Sequence, residues 1–353
     1  MRRWWVTTEP FVTGDEVSPT ELAIAMATLR EVHAPELRLE EAPVRLSGGY
    51  WAEMWVLSLK ETGSMLPARV VLRLAPDAEA SIRETAIQRA VAELGYTTPA
   101  ILASGGATPT TRAWSVMTHA TGHQLLAGLS GLGALTRLPR LAKSLPRQLA
   151  VSMAALHALD AMSVEVALAA LSQSSGGEPV RPGIDGMLDR FATQAAQLEV
   201  PRLSEAVNRL AASAPVESKR VICHGDLHPF NILDDNGTIT VLDWTTALVA
   251  DPAFDVSYTE MLLVNAPLKA PRLVQPIINA AARAIARRFI SQYRKASGAL
   301  SPDDERMVWY TRLHATRIAL EIAEWRSSGT VGENVGHPWL SLEPMVERLL
   351  RAT

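Results

Sequence analysis

The chain has 353 residues, 48% of them hydrophobic and 20% charged, with a formal net charge of -3. That length exceeds what one core usually organises, so two packed lobes are expected, and the apolar content excludes a disordered chain. A near-neutral total argues against nucleic acid as a partner, and no segment approaches the ~20 apolar residues of a membrane helix, so a cytoplasmic protein with no membrane partner is expected.

From the N-terminus, the spacing of Leu22, Met26 and Leu29 predicts a helix over 21–33. Short segments rich in strand formers follow at 44–46, 54–59 and 69–74, broken by Ser47-Gly48-Gly49 and Thr62-Gly63-Ser64, which reads as an antiparallel meander. Helical periodicity returns over 79–94 through Ile82, Ala86, Ile87, Ala90 and Leu94, and Gly95 stops it. Strands at 100–103 and 114–117 flank the Gly/Thr/Pro-rich loop 104–112, so a first lobe is expected over 1–118 and a second over 119–353. The second reads as mostly helical: a Leu/Ala/Met period over 141–171, a linker-like stretch at 172–183, helices at 184–198, 202–213, 272–296 and 303–328, and a short strand pair at 221–223 and 239–242. The fold class is α+β. The lone cysteine, Cys223, excludes an internal disulfide and a cysteine-based zinc site, and reads as a small buried residue at a strand end.

The chemistry concentrates in VICHGDLHPFNILDDNGTITVLDWTTALVADPAFD, residues 221–255. An apolar strand runs into His224-Gly225-Asp226, Asn231 precedes a second strand, Asp234-Asp235-Asn236-Gly237 signals a turn, and the returning strand ends in Asp243-Trp244. Asp226, Asn231 and Asp243 thus fall at the ends of one hairpin-like unit and can converge. Phosphoryl transfer needs a carboxylate to orient the acceptor hydroxyl and take its proton, and oxygen ligands to hold Mg²⁺ on a triphosphate. Asp226 fits the first task and Asn231 with Asp243 the second. The D-x4-N spacing matches the catalytic loop of protein kinases.

HGDLHPFNIL followed by LDWTTALVADPAFD resembles the aminoglycoside phosphotransferase family. The resemblance implies a protein-kinase-like two-lobed fold, with a small N-terminal lobe on an antiparallel sheet and a larger helical C-terminal lobe. It implies transfer of a phosphoryl group from ATP or GTP, with Mg²⁺, to a hydroxyl of a small molecule. It makes Asp226 the catalytic Asp, with His224 and Asn231 completing the catalytic loop, and Asn231 and Asp243 the metal ligands. Asp255 becomes a brace for that loop, and His228 reads as structural. In the first lobe, Ser47-Gly48-Gly49 stands where the family folds a loop over phosphates, although a plain tight turn fits the same residues. Arg73 stands where a lysine is common, with Glu84 as its natural partner and Glu79 and Glu93 as competitors. Met117 and His119 mark the strand and hinge against which a nucleotide base would lie. Phe230, Thr245 and Thr246 depart from residues common in the family.

The acceptor is less legible. On 303–328, Trp309, Leu313, Thr316, Leu320 and Ala323 read as core, while Tyr310, His314, Arg317, Glu321 and Trp325 make a neighbouring stripe that fits either an acceptor pocket or a partly buried helix face with Arg317–Glu321 pairing. The mixed charge of this stripe favours a neutral, apolar or anionic acceptor over a strongly cationic one. An antibiotic-inactivating kinase and a metabolic kinase of a choline-, amino-alcohol- or sugar-like acceptor share the motif. A nucleotide-binding scaffold without catalysis is the reading from another class. The absence of H-R-D, D-F-G and A-P-E sets the chain apart from protein kinases.

Overall fold

A computed structural model describes residues 16–46, 52–60, 66–125, 132–174, 183–266, 275–300, 304–330 and 337–351. Ser47, Gly48 and Gly49 lie outside the described residues. The chain divides into two compact units that interleave in sequence: Met1–Arg137, Met162–Leu171 and Pro229–Thr246 form one, and Leu138–Ala161, Ser172–His228 and Ala247–Thr353 the other.

In the first unit, helix α1 (Pro19–Val32) precedes β1 (Arg38–Leu39), β2 (Val44–Leu46), β3 (Glu53–Lys60) and β4 (Arg69–Ala75); α2 (Ala78–Glu93) follows, then β5 (Ile101–Gly105) and β6 (Ala113–Thr118). These strands form one antiparallel sheet in the order β1-β3-β4-β6-β5, with β2 also paired to β3. Side chains alternate across β4. Val70, Leu72 and Leu74 join Trp55, Leu57, Trp114 and Val116 in a core that α1 closes with Ala25, Met26 and Leu29. The intervening position 73 is therefore thrown to the opposite face. Helix α2 begins where the Asp77 side chain accepts the Ala80 N–H at 3.0 Å, and ends before Gly95, whose φ of 83° suits a left-handed helix stop.

The same unit holds a smaller sheet. β9 (Ile232–Asp235) and β10 (Thr238–Val241) pair through a turn at Asn236 and Gly237, both at positive φ, as the Asn-Gly signal predicts. β7 (His123–Gln124) lies along the other edge of β9. Gly122 permits that approach: a Cβ there would sit 2.9 Å from the Asp234 carbonyl. Strand β10 stops at Val241, earlier than the sequence suggests, because Asp243 turns the chain at a φ of 66°.

Helices α3 (Leu132–His157) and α4 (Ala161–Ser174) connect in sequence to the helical part. The second unit contains α5 (Gly183–Gln197), α6 (Pro201–Ala212), β8 (Val221–Cys223), β11 (Leu248–Ala250), α7 (Pro252–Val264), α8 (Gln275–Ser297), α9 (Glu305–Ser327) and α10 (Pro338–Arg351). Phe191, Leu203, Val207, Leu210, Phe254, Tyr258, Leu313, Leu320 and Val346 share its core. Helix α7 is the innermost, with every residue from Pro252 to Thr259 buried, and its first turn is capped by the Asp251 side chain, which accepts the Ala253 N–H at 2.9 Å. Cys223, at the end of β8, is fully buried as expected. Among the described residues, no single helix is long and apolar enough to cross a membrane.

Candidate active site

The first unit carries a buried polar network on the α2 face of its sheet. Arg73 Nη2 lies 2.8 Å from Glu84 Oε2, with both side chains at most 10% exposed. The pairing selects Glu84 over Glu79 and Glu93. Thr245 ties this pair to Asp243: its hydroxyl lies 2.6 Å from Asp243 Oδ1 and 3.3 Å from Glu84 Oε2, and Arg73 Nη2 lies 3.5 Å from the same hydroxyl. A hydroxyl has one proton, and the shorter distance assigns it to Asp243. Burial pushes the Glu84 carboxyl up to about 7 against the pull of Arg73, and the Asp243 charge adds to the rise. Arg73 thus forms the expected ion pair, with its Nη2 reaching both the carboxylate and the threonine.

Asp243 is exposed, and its left-handed backbone is uncommon for a residue with a Cβ. Its neighbour Trp244 anchors the turn: the indole is fully buried, donates Nε1–H to Thr98 Oγ1 at 2.8 Å and meets Tyr96 edge-on. Asn231 accepts the Leu242 N–H at its backbone oxygen, so Asn231 and Asp243 flank the open end of the β9–β10 hairpin. An amide oxygen and a carboxylate at neighbouring chain ends are hard donors of the kind Mg²⁺ takes. Met117 lies in β6 opposite Val71, its sulfur 3.8 Å from Gln88 Nε2, and His119 follows half-buried, its pKa lowered by burial and then by the Arg69 charge.

The second unit carries the loop 224–228, held from beneath by α7. Asp255, fully buried, accepts the His224 N–H at 2.8 Å and the Gly225 N–H at 2.6 Å, and His157 Nε2 lies 3.1 Å away on the same carboxylate. His157 Nδ1 in turn meets Tyr293 Oη at 2.7 Å. Burial alone would raise the Asp255 carboxyl; the His157 and loop hydrogen bonds outweigh it and bring the pKa below the usual carboxylate value. Thr259 donates to the Leu227 carbonyl at 2.7 Å, and Arg317 Nη1 to the Gly225 carbonyl at 3.1 Å. His224 is fully buried, and its Nδ1 accepts the Asp226 N–H at 3.2 Å. Asp226 itself keeps 23% of its side chain exposed, with His228 Nε2 at 3.4 Å from Oδ2. Burial works to raise its pKa, but His228 and then the Arg317 charge hold it far below the ordinary range.

The predicted acceptor stripe divides. Tyr310 and His314 belong to the core: His314 is fully buried, with Nε2 donating to the Phe254 carbonyl at 2.7 Å and the ring between Phe254 and Tyr258. Burial takes both out of reach of an acceptor. Arg317 holds the loop 224–228, its guanidinium 4.6 Å from the Tyr258 ring centre and 5.5 Å from that of Trp339. Trp325 packs against His337 and Trp339. Glu321 stays half-buried, its carboxyl pushed up to about 7 by burial and then by Glu324. Sequence reasoning treated Thr245 only as a departure and passed over His157, Tyr258 and Trp339. The spacing of Asp255 and Tyr258, one turn apart on a single helix, was the available signal for Tyr258.

These elements define the α+β, protein-kinase-like architecture of small-molecule phosphotransferases. A sequence model of the phosphotransferase enzyme family matches residues 44–289, and the chain belongs to that family. A provisionally assigned aminoglycoside phosphotransferase from Ralstonia eutropha is similar at 19% identity over 94% of this chain and 96% of its own, with a TM-score of 0.61. A spectinomycin phosphotransferase solved with ADP and its antibiotic shares 13% identity over 96% and 99%, with a TM-score of 0.53. An aminoglycoside phosphotransferase solved with AMP-PNP and hygromycin B shares 18% identity over 92% and 97%, again at 0.53. No curated protein sequence matches significantly.

Proposed function

We propose that the protein transfers the γ-phosphoryl group of ATP to a hydroxyl of a small molecule. The observation that carries this reading is the buried Arg73–Glu84 pair coupled through Thr245 to Asp243. A scaffold has no need of an ion pair kept so dry, whereas a kinase uses it to place a cation on the triphosphate. Bound Mg²⁺ would supply charge neutralisation on the phosphates, and Asn231 and Asp243 would hold it. Thr245 aims Asp243 by engaging Oδ1. On this reading the first 118 residues and the β9–β10 hairpin serve the nucleotide, and the helical remainder serves the acceptor.

Asp226 orients the acceptor hydroxyl. Its depressed pKa keeps it ionised throughout the physiological range, so it accepts a hydrogen bond from the hydroxyl and receives the proton late, as a loose transition state requires. With Tyr310 and His314 removed to the core, the acceptor is met by residues around Asp226. Names of structural relatives point to hydroxyl-bearing antibiotics as the class to try first. Purified protein with Mg·ATP and a panel containing hygromycin B, spectinomycin, macrolides and simple amino alcohols should give one product heavier by one phosphate, and Asp226→Ala should abolish it. Absence of both phosphorylated product and ADP across the panel, with nucleotide still bound, rejects phosphotransfer in favour of the scaffold.

A further inference from the structure

A small cavity opens in the second unit beside the segment that leads into β8, before the strand delivers the loop 224–228. Its volume is about 100 Å³. The start of α5, the segment joining α6 to β8, and the N-terminal part of α9 border it. Ile184, Trp309 and Tyr310 are its buried residues. Asp185 and Arg220 are exposed at its rim, and Glu217 is half-buried.

The fold leaves two oxygens of this lining without a task. The Tyr310 ring is fixed in place, edge-on to Phe254 at 6.0 Å and to Trp309 at 4.9 Å between centres. The residue is 1% exposed, yet its hydroxyl has no hydrogen-bond partner among the described residues. Native folds rarely leave a buried polar group so. Glu217 gives Oε2 to Arg220 Nη1 at 3.1 Å and leaves Oε1 without a hydrogen bond among the described residues. The Trp309 indole donates its N–H to the Leu210 carbonyl at 3.3 Å and offers the cavity only ring surface.

Charge and size then narrow the occupant. Two carboxylates, Asp185 and Glu217, face one guanidinium, Arg220, which leaves one negative charge in excess. Burial raises the Glu217 carboxyl above its usual value against the Arg220 charge, the response of a carboxylate short of cations. Free oxygen acceptors beside an aromatic wall suit a cation that carries N–H donors. A dry cavity of about 150 Å³ takes benzene, so about 100 Å³ takes roughly four or five heavy atoms.

We propose that this cavity is a binding site for a short-chain primary ammonium compound, held by Glu217 and the Tyr310 hydroxyl beside the Trp309 ring. An ammonium donates to both oxygens at once, and its alkyl part covers Ile184. No residue of the loop 224–228 lines the cavity, so the site goes beyond the phosphotransfer reading and stands whether or not that reading holds. Occupancy ties the segment before β8 to α9, and a ligand that does so stabilises the folded chain.

Thermal unfolding and titration calorimetry of the full chain without nucleotide supply the test, with propylammonium chloride as probe and sodium chloride at equal ionic strength as control. So few heavy atoms limit affinity, and Kd should fall at about 1 mM. The unfolding midpoint should rise and saturate with the probe. Neutral 1-propanol and tetramethylammonium, which has charge but no N–H, should each bind at least about tenfold more weakly. Tyr310→Phe keeps the ring packing and should weaken propylammonium about fivefold, and Glu217→Gln about tenfold. Asp226→Asn should leave binding within about twofold.

A midpoint that does not shift at millimolar probe shows a cavity holding only water and overturns the site. A response to 1-propanol or tetramethylammonium equal to that of propylammonium overturns the primary-ammonium assignment. Unchanged binding in either Tyr310→Phe or Glu217→Gln, or its loss in Asp226→Asn, puts the probe elsewhere and overturns the proposal. Should Tyr310→Phe not fold, Glu217→Gln, at a half-buried position, decides the matter.

Discussion

Replacing Asp255 by alanine isolates what the α7 platform contributes. The carboxylate is fully buried and receives the backbone N–H groups of His224 and Gly225 and the ring of His157. Alanine strands all three donors in a site that β8 and α7 close off. A buried donor without a partner costs roughly 1–3 kcal/mol, so the loss should be about 5 kcal/mol, a large share of the roughly 5–15 kcal/mol that usually holds a protein folded. Asparagine keeps one acceptor oxygen but turns an amide N–H toward a donor, and should lose about 3 kcal/mol. Urea unfolding followed by tryptophan fluorescence measures both. The pH dependence supplies a second check. The folded pKa of Asp255 is depressed, so its stabilisation is complete above the unfolded value near 3.9 and fades as pH falls through the folded one. The alanine variant should therefore unfold less steeply in acid. An alanine variant within about 1 kcal/mol of the parent would refute the reasoning, since the loop would then be held by something other than this carboxylate.

Other outcomes follow from the same contacts. His314 and His337 are buried and lowered to about 3 and about 4, chiefly by desolvation. The unfolded chain binds protons first as pH drops below about 6.5, so each should withdraw about 2 kcal/mol between pH 7 and 5, and His314→Gln should flatten that slope in denaturation series. Arg73→Met leaves Glu84 buried without its cation and should cost about 3 kcal/mol together with a higher KM for ATP; Arg73→Lys should recover most of both. Thr245→Val keeps the side-chain shape but removes the hydroxyl on Asp243 Oδ1. It should weaken the Mg²⁺ dependence of turnover several-fold in a metal titration while changing the urea midpoint by less than about 1 kcal/mol.

Elements with a clear period were legible in the sequence. The meander strands, α2 with its Gly95 stop, α8 and α9 appear close to their expected limits. The Asn236-Gly237 signal placed the hairpin that bears Asn231 and Asp243. Helix α7 escaped notice because its apolar residues surround it, leaving no stripe to read, and its one polar face is turned inward on the loop 224–228. The same inwardness misled the reading of α9. His314 and Tyr310 share the helical spacing of pocket residues, but spacing reports a common face and not whether that face meets solvent or core. Arg73–Glu84 was legible because strand alternation and helix position both limited the choice. Thr245 was not, since a threonine declares its role only through the two carboxylates that the fold brings to it.

Cys223 has a use for the experimenter. Its thiol is sealed where β8 ends, near the carbonyl oxygens of Ala250 and Asp251 at 3.9 and 3.6 Å, and burial pushes its pKa well above that of a free thiol. An alkylating reagent reacts with thiolate and needs a path to it, so the intact protein should resist labelling. The chain holds a single cysteine, and any labelling that does occur therefore times the parting of β8 from α7. The rate of that reaction becomes a clock, carried by the native sequence, for how often the floor beneath the loop 224–228 opens.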